Sequence, residues 1–133
     1  MRAIMIAVLV TASLAQTVAA KPALRDVKLI DDGLFTVGLA DQIRKKCPTI
    51  SGRLFKGLTE LRSLQSEAYA RGYTKAEIEA HVDSDVEKDR LRARAAKYMA
   101  ERGFEQNEAG YCALGHEEIK RGSEIGALLR SSD

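Results

Sequence analysis

Two cysteines and two histidines are the side chains best suited to chemistry in this chain: Cys47, Cys112, His81 and His116. A catalytic thiol needs a neighbouring base, and neither histidine lies in a supporting motif. A thioredoxin-like site needs Cys-x-x-Cys, which the sequence lacks. A structural zinc site takes four ligands, commonly in closely spaced pairs; these residues match the number but not the spacing. The run Arg44-Lys45-Lys46 would lower the pKa of a free Cys47 thiol, and it equally suits the C-terminal end of a helix. The favoured reading is a bridge between Cys47 and Cys112, because two cysteines in an exported chain allow a single pairing. It would close a loop of 65 residues and constrain the unfolded chain by about 4 kcal/mol.

The acidic motifs are weaker. In HVDSDVEKDR, the residues Asp83, Asp85, Glu87 and Asp89 alternate as at the start of a calcium loop. Such a loop needs Gly at its sixth position and Glu at its twelfth, where Lys88 and Arg94 stand. A capping box from Ser84 to Glu87 accounts for two of these residues, and Lys88, Arg90 and Arg92 offer partners to the other acids. His116-Glu117-Glu118 has Lys120 where a zincin needs its second histidine. Adjacent carboxylates on a helix diverge by about 100°, which rules out a general acid/base pair. No phosphate-cradling loop, nucleophile elbow or dinucleotide fingerprint occurs. The sequence therefore assigns no catalytic residue, no cofactor and no metal. Lys88, Arg90, Arg92, Arg94, Lys97 and Arg102 read as a solvated helix face laced with Asp85, Glu87, Asp89 and Glu101, in preference to a surface for an anionic partner.

The first twenty residues stand apart. Arg2 precedes an apolar run from Ala3 to Val10, and Val18 and Ala20 occupy the positions that signal peptidase reads. The run is shorter than the roughly 20 residues that span a bilayer, so a cleaved signal peptide over 1–20 is expected, with no transmembrane segment after cleavage. Of 133 residues, 113 then remain, enough for one domain over 21–133. Losing Arg2 leaves the basic residues one ahead of the 19 acidic ones, a formal charge of +1. Near-neutrality and an aromatic content of 5% argue against a nucleic-acid partner, which needs a basic field and stacking platforms.

Periodicity, caps and breakers place helices to position these residues. A first helix over about Asp31 to Lys46 carries Leu34, Phe35, Leu39 and Ile43, and Pro48 stops it. A second over about Thr49 to Arg71 carries a stripe of Ile50, Leu54, Leu58, Leu61, Leu64, Ala68 and Tyr69, ended by Gly72. Thr74-Lys75-Ala76-Glu77 caps a short third helix with Ile78 and Val82 inward. A fourth covers about Asp85 to Arg102, with Leu91, Ala95, Tyr98 and Met99 inward and Gly103 as its stop. Residues 104–110 read as a loop, followed by a fifth helix from Tyr111 to Arg121 and a last one from Glu124 to Arg130. No run alternates as a strand does. Gly33, Gly38, Gly52 and Gly57, costly inside helices, mark candidate close approaches between helices. The fold class is all-α, an irregular bundle of four to six helices stapled by one disulfide.

Three stretches, DDGLFTVGLADQIRKKCPTISGRLF, VDSDVEKDRLRARA and YCALGHEEIKRGSEIGALLR, resemble a family of small exported alphaproteobacterial proteins classed as a domain of unknown function. The resemblance covers nearly all of the chain after the leader. It implies an exported helical domain with Cys47 and Cys112 in the family's cysteine positions, and it transfers no reaction. Members are sometimes labelled as belonging to respiratory NADH dehydrogenase. The expected protein is a periplasmic, non-enzymatic helical module that binds another protein. The alternatives are an accessory factor of a respiratory NADH dehydrogenase complex, a periplasmic stress chaperone, and a hydrolase using His116 or His81. The sequence specifies neither a partner nor an oligomeric state.

Overall fold

The structure, a computed structural model, describes residues 20–132. The expected signal peptide lies, apart from Ala20, outside the described residues. Helix α1, Lys28–Lys46, is the hub of the assembly. It begins ahead of Asp31 because a 3-10 turn, Leu24–Asp26, leads the chain directly into it. Its basic end is at Arg44, Lys45 and Lys46, and Cys47 caps it in extended conformation, donating its N–H to the Ile43 carbonyl. Arg44 and Lys45 both pair with Asp41 one turn earlier.

The next segment departs from the helical reading. Residues 50–52 form β1, Ile50–Gly52, which pairs antiparallel with β2, Leu129–Ser131, in the register Ile50↔Ser131, Ser51↔Arg130, Gly52↔Leu129. A three-residue strand is too short to show a period-2 pattern, and its partner lies at the far end of the chain. Helix α2 then covers Leu54–Ala70, α3 Lys75–Asp83, α4 Asp85–Glu101, α5 Glu108–Arg121 and α6 Glu124–Ala127. The expected last helix to Arg130 is cut short because Leu129–Ser131 are claimed by β1. The expected loop over 104–110 gives up its end to α5, which Asn107 caps by accepting from the Gly110 N–H at 2.8 Å. The Thr74 capping box is present in both directions, Glu77 N–H to Thr74 Oγ1 at 3.2 Å and Thr74 N–H to Glu77 Oε2 at 2.6 Å. Gly72 and Gly103 end α2 and α4 with positive φ, as their positions predict. Among the described residues six α-helices and one disulfide make the all-α bundle, and the two-stranded ribbon is the addition.

The main core gathers Phe35, Leu39 and Ile43 of α1, Ile50, Met99 of α4, Leu114 of α5, Ile125 and Leu129. A smaller cluster of Leu24, Val27, Ile30, Ala68 and Tyr73 joins the N-terminal segment to the end of α2. Close approach explains two glycines. A Cβ on Gly33 would lie 2.5 Å from Leu64 Cδ2, and one on Gly115 would lie 2.4 Å from Ile50 Cδ1. Gly38 and Gly57 meet nothing within 4 Å, so for them close packing is not the reason. Gly52 lies in β1, beside the Arg44 side chain, and not in a helix.

Cys47 is bonded to Cys112, with Cα atoms 5.0 Å apart across 65 positions. The bond ties the end of α1 to the second turn of α5, and Cys47 is itself part of the main core. The Cys47→Ala, Cys112→Ala double variant is expected to lose about 4 kcal/mol of unfolding free energy. Urea unfolding of the oxidised protein and the variant measures the difference. Equal midpoints would show that the bond constrains nothing.

Candidate functional site

The buried acidic side chains Asp31, Glu87 and Glu118 are engaged in two structural networks. The first joins α4 to α1 and the N-terminal segment. Arg25 pairs with Glu87, Glu87 with Arg90 at 2.9 Å, and Arg90 with Asp31. Arg94 continues it to Asp31 at 3.1 Å and to Asp32 at 2.6 Å, and Lys28 closes the end on Asp32. Hydrogen bonds from Lys28 and then Arg94 hold the Asp32 carboxyl below its usual pKa. Arg94 also lies over the Phe35 ring, 4.1 Å from its centroid, a cation–π contact. This network corrects two sequence expectations. Ser84 caps α4 by accepting from the Glu87 N–H at 3.3 Å, but the Glu87 side chain turns inward to Arg25 and Arg90 instead of closing a capping box. Arg90 and Arg94 are not simply part of a solvated face, because they reach across to α1. Asp89 is committed to Arg92 at 2.7 Å, so the alternating acids do not converge on a shared site.

The second network surrounds Glu118, whose side chain is 0% exposed. Its carboxylate accepts from Tyr98 Oη at 2.6 Å, from Arg121 Nη2 at 2.8 Å, and from Ser123 Oγ. Burial pushes the Glu118 pKa up, but the hydrogen bonds from Ser123, Tyr98 and Arg121 outweigh it, and the net shift is down. Tyr98 moves the other way, raised by burial and by Glu118. Arg102 stacks on the Tyr98 ring at 3.6 Å. The ensemble stabilises the α5–α6 corner: Ser123 Oγ also caps α6 through the Gly126 N–H at 3.0 Å, and Gly122 takes the left-handed conformation at the end of α5. A fully enclosed, fully hydrogen-bonded carboxylate has no face left for a substrate. Glu118 shares one buried helical stripe with Tyr111, Leu114 and Gly115, a signal that the sequence reading passed over.

The open feature of the molecule is apolar. Of the stripe expected over 49–71, Ile50 is buried but belongs to β1, and within α2 only Leu64 and Ala68 are buried. Leu54 is 67% exposed, Phe55 90%, Leu58 45% and Leu61 40%. Two hollows flank the stripe and share Leu58 and Leu61. One of about 220 Å³ lies towards the C-terminal half of α1, at Val37, Ala40 and Arg44. The other, about 380 Å³, lies between α1, α2 and α3. Leu29, Tyr69, Val82 and Val86 are further exposed large apolar side chains. Single exposed apolar residues are ordinary, but a contiguous set marks an interaction surface.

The residues singled out by sequence are dispersed. Cys47 and Cys112 meet only each other. His81 lies on α3, its Nε2 buried with no hydrogen-bond partner among the described residues, and His116 is half-buried on α5. Among the described residues no three His, Cys, Asp or Glu side chains are grouped so as to hold a metal ion, and no helix is long and apolar enough to cross a membrane.

The model of a family of unknown function, DUF5333, matches residues 22–130. No curated protein and no solved structure matches the chain.

The Glu118 network sets an acid limit. A carboxyl with a depressed folded-state pKa stabilises the fold above its unfolded value of about 4.3 and loses that contribution as pH falls through the folded value. Glu118→Gln is expected to cost about 1–3 kcal/mol at pH 7. It should also flatten the fall in stability below about pH 4.3. Urea midpoints from pH 2.5 to 7 test both; an unchanged acid slope would assign the limit to other carboxylates.

Proposed function

We propose that this chain, which belongs to the family of unknown function DUF5333, is a non-enzymatic exported module that docks another protein on the apolar face of α2. The observation that carries the reading is the exposure of Leu54, Phe55, Leu58 and Leu61 together on the N-terminal half of α2. Four large apolar side chains on an exposed helix lose roughly 25 cal/mol for every Å² left in water. A partner that lays an amphipathic helix along the face recovers that term, in the helix-in-groove mode of recognition. The commitment of Glu118, Asp31, Glu87 and their arginines to internal pairs supports a non-enzymatic role.

Export to the periplasm is supported by the leader pattern of residues 1–20 and by the Cys47–Cys112 bond, since such bonds persist in oxidising compartments. Two narrower versions assign different partners to the face: a subunit of a respiratory NADH dehydrogenase complex, or unfolding clients of a stress chaperone.

A photo-crosslinking residue at Phe55 is expected to give a discrete adduct in living cells, while one at Asp89 gives none. Leu58→Asp should abolish the adduct with less than about 0.5 kcal/mol change in stability, as for a surface site. Equal labelling from both positions would refute the docking face. A respiratory subunit in the adduct selects the first narrower version, and a smear of many clients appearing only after acid shock selects the second. Intact mass of the exported protein should place its first residue at Lys21; a retained leader would overturn the export reading.

A further inference from the structure

The hollow between α1, α2 and α3 has features that a protein-docking face does not need. Its volume, about 380 Å³, falls in the range of small-molecule sites, roughly 300–1,000 Å³. Its walls are aliphatic: Leu34 from α1, Leu58 and Leu61 from α2, Ile78 and Val82 from α3. Three polar side chains, Arg62, Gln65 and His81, complete the lining. None of the three has a side-chain hydrogen bond or ion pair among the described residues. His81 Nε2 is buried without a hydrogen-bond partner among the described residues, an arrangement that native structures rarely leave unexplained. Arg62 forms no ion pair among the described residues, whereas Arg90 and Arg94 on α4 are each paired with Asp31.

We propose that this hollow binds a single-chain amphiphile, a medium-length alkyl chain ending in a carboxylate. The chain lies among Leu34, Leu58, Leu61 and Ile78, and the carboxylate accepts hydrogen bonds from Arg62 and from His81 Nε2–H. The components fit this chemistry better than a polar metabolite, because beyond Arg62 and His81 only Gln65 offers a polar side chain among aliphatic walls. Burial, followed by the charge of Arg90, lowers the His81 pKa. The neutral ring keeps one N–H donor without adding a buried charge.

This site is separate from the docking role, although Leu58 and Leu61 border both surfaces. His81 takes no part in the docking face and Phe55 none in this hollow, although His81 also borders a second hollow beside Lys21, Pro22 and Tyr73. The test is calorimetric titration of the oxidised full-length protein with decanoate and octanoate. Decanoate is expected to bind at one site, with an affinity up to about four-fold higher for each added methylene. His81→Leu should weaken decanoate binding about ten-fold, the worth of one hydrogen bond to a charged group, with an unaltered melting temperature. Leu61→Trp should fill the hollow and abolish binding, and Phe55→Asp should leave it unchanged. Three results would overturn the proposal: no saturable decanoate heat, His81→Leu and Leu61→Trp both binding like the parent protein, or Phe55→Asp abolishing binding, which marks adsorption to the outer face. None of these bears on the Phe55 crosslink, so either reading can fail alone.

Discussion

The bond between Cys47 and Cys112 is the constraint from which the corner of the bundle is built. It holds the extended cap of α1 against the second turn of α5. Only with those two points fixed can Gly115 sit where its missing Cβ admits Ile43 and Ile50. Ile50 in turn begins β1, which receives the last strand of the chain. One covalent link therefore aligns the middle and the end of the chain around α1. In a domain of this size, total stability is typically about 5–15 kcal/mol, so a constraint worth about 4 kcal/mol is a large share.

The charged networks complete what apolar packing leaves undone. α4 has a strongly polar sequence and buries little beyond Ala95, Met99 and Glu87. Its attachment to α1 relies on Arg90 and Arg94 spanning to Asp31 and Asp32 as well as on the core. Exposed ion pairs contribute little individually. Here the acidic members Asp31 and Glu87 are buried, each meets two arginines, and loss of any one would leave a desolvated charge. Glu118 follows the same logic at the α5–α6 corner, where hydrogen bonds from three side chains offset the cost of burial. Both networks are fastenings, and this directs attention from the acids to the apolar surface.

That surface arises from a mismatch between α2 and the space available to it. Gly33 brings α1 close at Leu64, and Ala68 joins the smaller core. Towards its N-terminal end Leu54, Gly57, Leu58 and Leu61 of α2 border an open gap beside Val37 and Ala40. The helix is thus seated at one end and open at the other. The same geometry leaves Leu54 and Phe55 in solvent and creates the hollow bounded by Leu61 and Ile78.

The sequence by itself determined the helical class, the breaks at Pro48, Gly72 and Gly103, the Thr74 cap and the single pairing open to two cysteines. Each is a local preference of the backbone or a matter of counting. It also held signals that pattern reading by hydrophobicity passes over. Asp31 lies in line with Phe35 and Leu39, and Glu118 with Tyr111 and Leu114, but a carboxylate on a buried stripe is readable only once its partners are known. The tertiary structure alone decided that Ile50–Gly52 is a strand, because its hydrogen bonds go to a partner at the far end of the chain. It alone decided that the α2 stripe faces outward, because periodicity tells which residues share a face and not whether another element arrives to cover it.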